Sequence, residues 1–364
     1  MYTLEELLKN ILIDCDLSNL STTDGLNHPL NYLLRTNESF DSLNYWQYAR
    51  ENTERSLNLI YENDIKFFTK EKKNNLIGCD RTNASAVLGE IRCYGALLDA
   101  FGKSQVKHVN ERKESKTPDF LINLGEQQIE IEVMTLQMDG NEARNLSAFE
   151  NADVTHSGDG ILLREHLTRP FGNKKRSGTT PSVIYKLCSI KEDAEQLGGN
   201  KPGILWIDCQ DEYMNQISPR LDIDGPIYSS RGMGSCVKGL SSNEIWYSLF
   251  AHKGDLILDG ESLDSGEGIK RKPDKMMLDG KFAKKKTSKR ISAAIFYGPN
   301  AMCIYENPFA KKRLPECFRI KLMGNLTFKY ENSRIDFPKG QLKNKLKNDY
   351  KVLKKLCKES FYSW

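Results

Sequence analysis

Ile129-Glu130-Ile131-Glu132-Val133 follows Thr117-Pro118-Asp119-Phe120-Leu121-Ile122 at the distance of one β-hairpin. Both runs are short and rich in β-branched or aromatic residues, and the second alternates with period two. Asn123-Leu124-Gly125-Glu126 reads as the turn between them. Side chains two apart on a strand share a face, so Glu130 and Glu132 stand together while Ile129, Ile131 and Val133 turn to a core. Pairing of the strands brings Asp119 to the same edge. Three carboxylates that close repel one another unless a cation neutralises them. A hard divalent ion, Mg²⁺ or Mn²⁺, suits such an oxygen donor set.

Upstream, Asn83 to Leu98 has apolar residues at Val87, Ile91, Tyr94, Leu97 and Leu98, which predicts a helix carrying Glu90. A strand at Gln105–Val109 follows, then a polar loop, Asn110 to Lys116. Downstream, Pro181 to Leu197 has helical spacing and stops at Gly198-Gly199. Gly203 to Asp208 is a continuous apolar run, the pattern of a buried central strand.

This order of elements, with Pro118-Asp119 and Glu130-Ile131-Glu132 on the hairpin, resembles the PD-(D/E)XK nuclease superfamily. Glu132 stands where the family usually has Lys; some members carry Glu there. The resemblance covers residues 83 to 135 and, less closely, 180 to 210. It implies an α/β fold, a restriction-endonuclease-like core with a central mixed sheet flanked by helices. A helical N-terminal unit and inserted and C-terminal additions would surround that core. It implies that Asp119 and Glu130 hold the metal, with the carbonyl of Ile131 and with Glu90 directly or through water. Glu132 would then be general base or a further metal ligand. Lys186, Lys191 and Gln196, on the helix after the hairpin, would contact the phosphate. The activity implied is metal-dependent hydrolysis of phosphodiester bonds in DNA, of the restriction or anti-phage type, with a homodimer where both strands are cut. The competing reading is a non-catalytic nucleic-acid-binding or assembly protein that retains the fold.

Composition is compatible with this. The chain has 364 residues, 39% hydrophobic and 28% charged, as in soluble globular proteins. No apolar run approaches the roughly 20 residues that span a bilayer. The N-terminus is acidic where a signal peptide would be basic, which predicts a cytoplasmic protein without a membrane partner. Nine cysteines without a C-x-x-C pair read as buried thiols rather than a zinc site or a disulfide frame.

The net charge is only +4, but the positive charge is clustered. Lys270 to Arg290 holds ten basic residues against two acidic ones, and includes Lys284, Lys285 and Lys286. Arg169, Lys174, Lys175 and Arg176 form a second cluster, and the segment from Leu342 to Lys358 a third. Such clusters can follow a phosphate backbone and release its counterions.

Three regions are expected. Residues 1–75 form the helical unit, with one helix near Leu4–Leu12, a second from Leu43 to Phe68 and a polar connection at Lys70–Asn75. Residues 76–210 form the core, with a long basic insertion at 137–180 that carries Arg144, His156 and Arg164. Residues 211–364 complete the sheet through strands at Ile291–Tyr297 and Met302–Tyr305, a helix at Asn243–Phe250 and a basic amphipathic helix at 342–356.

Overall fold

The computed structural model describes residues 2–13, 17, 20–35, 45–109, 117–137, 154–156, 162–164, 196–212, 227–231, 238–264, 268–276, 278–283, 289–325 and 331–335. Five helices come first: α1 (Leu4–Leu12), α2 (Pro29–Leu34), α3 (Tyr45–Asn63), α4 (Lys70–Ile77) and α5 (Arg81–Phe101). The strands β1 (Val106–His108), β2 (Phe120–Leu124) and β3 (Gln127–Thr135) follow, then β4 (Val154–His156), β5 (Leu162–Arg164) and β6 (Gly203–Asp208). After β7 (Ile227–Arg231) and β8 (Lys238–Ser242) come α6 (Glu244–Phe250), β9 (Leu256–Asp264) and β10 (Gly268–Lys275). The last elements are β11 (Ile291–Tyr297), β12 (Ala301–Glu306), α7 (Glu316–Asn325) and β13 (Glu331–Ile335).

Seven strands form the main sheet in the order β1-β2-β3-β6-β11-β12-β13. It is mixed. The β2–β3 hairpin is antiparallel, whereas β3, β6 and β11 run parallel. Every residue of β6, β11 and β12 is buried, because helices or loops cover both faces. Ile129, Ile131, Ile204, Trp206 and Ile295 meet α5 on one side. Leu205, Ile207, Ala294 and Phe296 meet Trp246 and Phe250 of α6 on the other.

The N-terminal helices share the core with the sheet. Leu7 and Leu8 of α1, Leu57 of α3 and Ile91 of α5 belong to the same apolar cluster as the strands. Asn52 of α3 reaches across to donate to Gln210 and to the carbonyl of Pro299, both at 2.9 Å.

The central helix α5 begins where Asp80 accepts hydrogen bonds from the amides of Thr82 and Asn83. It ends at Gly102, whose φ of 73° suits glycine. Two interior glycines let it approach its neighbours. A Cβ at Gly95 would lie 2.4 Å from Ser56 Cα of α3, and one at Gly89 would lie against Thr135 Oγ1 at the end of β3. This close seating sets where Glu90, the next residue, stands over the sheet. Within the core, Arg92 of α5 pairs with Asp208 at the end of β6, both nearly or fully inaccessible.

Several expectations change. The polar run Lys70–Asn75 is helical, since Thr69 caps α4 and Leu76 packs inside. Residues 316–325 form a helix before the final strand. The β9–β10 hairpin runs through part of the basic 270–290 segment. In the insertion, β4 and β5 pair antiparallel. Residues 181–195 of the helix predicted over Pro181–Leu197 and the helix predicted at 342–356 lie outside the described residues, as do Lys174, Lys175, Arg176, Lys186, Lys191, Lys284, Lys285 and Lys286. Gln196 and Leu197 are described and form a turn rather than a helix. None of the described helices is long and apolar enough to cross a membrane.

Candidate active site

The β2–β3 ladder pairs Phe120 with Ile131 and Leu121 with Glu130. Continued by one residue, the register sets Asp119 opposite Glu132. Asp119 sits just outside β2, where the ladder opens. Its carbonyl accepts from Val109 at 2.9 Å, and its Oδ2 accepts from the Val133 amide at 2.6 Å. The carboxylate thus takes the place of the strand acceptor that Val133 would otherwise lack. Glu132 lies on the face away from α5, where Gln196, with its amide turned to donate, is 2.8 Å from Oε2.

Glu130 shares that face but has other company. It is 8% exposed, accepts from the Gly198 amide at 2.8 Å and has Lys201 Nζ at 3.6 Å from Oε1. A carboxylate that deep requires such partners. Ile131 lies mid-ladder, paired with Phe120 on one side and Ile204 on the other.

Glu90 projects from α5 to an ion pair with Lys72 of α4, both largely buried. Lys72 Nζ also lies 4.8 Å from the centre of the Phe67 ring. Asp119 and Glu90 share an electrostatic neighbourhood. Burial pushes the Cys93 thiol up, and the charges of Asp119, Asp208 and Glu90 push it further.

The structure therefore bonds the Asp119 carboxylate to the Val133 amide, next to Glu132 on β3, and gives Glu132, Glu130 and Glu90 separate partners in Gln196, Gly198 with Lys201, and Lys72. It does not gather all four predicted acids at one point. Among the described residues, no three His, Cys, Asp or Glu side chains are grouped to hold a metal ion. Lys72 and Lys201 escaped the sequence reading. The Thr69 cap was the available signal for the first; nothing in the local sequence marks the second.

His108 of β1 borders this corner, with its ring edge-on to Phe67 at 4.9 Å. Burial, and then the charge of Lys72, lower its pKa to about 4. The folded state keeps this imidazole neutral at pH values where the unfolded chain, near the ordinary value of about 6.5, already binds a proton. Stability should therefore fall as pH drops from about 6.5 to about 4. His108→Gln should flatten that part of a pH series of urea midpoints, and an unchanged slope would remove His108 as the cause.

No family profile, curated protein or solved structure matches this chain.

Proposed function

We propose that the chain is a Mg²⁺-dependent endonuclease that hydrolyses phosphodiester bonds of DNA, in a restriction or anti-phage role. The observation that supports this reading is the Asp119 carboxylate, held by the Val133 amide where the hairpin ladder ends, next to Glu132 on the adjoining strand. Two carboxylates fit Mg²⁺, which is commonly held by one or two such groups together with waters and substrate phosphate. Asp119 and Glu132 would hold it. When bound, the ion lowers the pKa of its water and stabilises charge on the phosphate.

The protein groups are prepared for these tasks. The Val133 amide fixes the Asp119 carboxylate, and Gln196 fixes that of Glu132. Glu90 stands on α5, ion-paired with Lys72. Lys72 beside it brings positive charge to a corner whose hairpin carries Glu at the position the family gives to Lys. In this reading Glu130 is a clasp between β3 and the Gly198–Lys201 turn.

The second reading, a non-catalytic nucleic-acid-binding or assembly protein with this fold, draws on the same contacts. Glu90 and Glu130 already have cationic partners and need no metal. Incubation of purified protein with supercoiled plasmid separates the two. Nicked or linear product with Mg²⁺ or Mn²⁺, lost on addition of EDTA, is expected. A retarded but uncut plasmid with either ion would favour the binding protein.

A further inference from the structure

Three segments remote in sequence meet at the turn end of the hairpin: Gly199–Lys201, Lys289-Arg290 and Lys311–Arg313. Main-chain and hydroxyl hydrogen bonds stitch them together. The Lys311 amide donates to the carbonyl of Lys289 at 3.1 Å. Ser292 Oγ donates to the carbonyl of Lys312 at 2.7 Å and accepts from the Gly203 amide at 3.1 Å. Gly199 lies against the Arg290 side chain, whose Cγ would be 3.0 Å from a Cβ there.

The result is a groove of about 680 Å³ between the β2–β3 turn and the start of α7. Lys201, Lys312 and Arg313 line it, with Glu126 and Glu316 as the lining carboxylates. Lys289, Arg290 and Lys311 are exposed alongside. Three cations and two carboxylates line the groove, and the three further exposed cations beside it, set against Glu130 behind Lys201, leave the surface net positive.

We infer that this groove is a track for the phosphate backbone of duplex DNA leading to the candidate active site, an inference that rests on the nuclease reading above. Lys201 makes the connection. It donates to Gln128 at 2.5 Å and pairs with Glu130, two residues before Glu132 on the same strand face. From Gln128 to Glu132 is four residues, roughly 13 Å along a strand. A duplex carries a phosphate every ~3.4 Å of axis on each strand, so the groove engages the backbone about four nucleotides from Asp119 and Glu132. Cations at that spacing fix the register of the substrate without reading its bases.

The test measures binding of a fluorescent DNA duplex across a salt series in EDTA, where cleavage is suppressed. Lys312→Glu and the double variant Lys312→Glu/Arg313→Glu are compared with Lys9→Glu on α1, an exposed charge reversal on another element. The double variant is expected to bind at least about tenfold more weakly, with a salt slope shallower by roughly two, one for each lost phosphate contact. Lys9→Glu should change neither by comparable amounts. Equal effects from Lys9→Glu and Lys312→Glu, or affinity and slope unchanged in the double variant, would overturn the track. Polyglutamate that competes as well as DNA at equal charge would overturn it in favour of an acidic-peptide surface. Loss of binding in the double variant of a protein that never cuts would retain the groove and remove the nuclease. Cleavage with an irrelevant groove would do the reverse.

Discussion

Asp119→Asn and Glu132→Gln should each lower Mg²⁺-dependent plasmid cleavage by roughly a thousandfold. That is the rate equivalent of the several kcal/mol a metal centre contributes to stabilising transition-state charge. Both replacements keep the local bonds. An Asn oxygen can still accept from the Val133 amide, and Gln196 can still donate to a Gln oxygen. Loss of activity with a preserved melting temperature would therefore report on chemistry rather than folding. Glu130→Gln is the contrast. It keeps an acceptor for Gly198 and loses only the charge paired with the half-exposed Lys201, a loss worth less than about tenfold. Wild-type rates in both Asp119→Asn and Glu132→Gln would end the proposal for this site, and a Glu130→Gln variant as dead as Asp119→Asn would return Glu130 to the catalytic set.

The largest expected change in stability comes from Arg92→Met. It leaves Asp208, fully buried, without the guanidinium that donates to Oδ1 from Nε at 2.9 Å. Gln210 Nε2 still donates to the same oxygen at 3.1 Å but carries no charge. Removing one partner of a buried ion pair costs about 3–5 kcal/mol, because the other charge stays desolvated. Urea denaturation should show this as a lower midpoint at unchanged m-value. The paired replacement Arg92→Met/Asp208→Leu should recover most of the loss, since an apolar pair of similar volume avoids the desolvation. A single-variant cost under about 1 kcal/mol would mean that water reaches this carboxylate.

The parts of the fold legible in sequence are those where burial imposes a period. The helix around Glu90, the central strand from Gly203 to Asp208 and the late strand from Ile291 to Tyr297 lie in or close to their predicted bounds. The register of the hairpin was less legible. A four-residue turn over Asn123–Glu126 sets Ile122 opposite Gln127 and Asp119 opposite Glu130. The observed turn is two residues, Gly125-Glu126, with Gly125 at φ 62°. Continued by one residue, that register carries Asp119 towards Glu132. Turn length alone decides which glutamate the aspartate faces, and a strand with glutamates two apart gives no pattern to prefer either. The α4 helix was obscured for a different reason. Its polar composition suggests a linker, and only Leu76 and the Thr69 cap argue otherwise.

The shared core of α1, α3 and α5 bears on how this architecture can diversify. A recognition module joined by a linker can be exchanged between proteins without disturbing the catalytic part. Here Ser56 lies against the backbone of α5, and Asn52 bonds to groups beyond the ends of β6 and β11. The leading helices are thus foundation rather than appendage. Substitutions that change the buried faces of α1, α3 or α5 should therefore need compensating changes in the sheet.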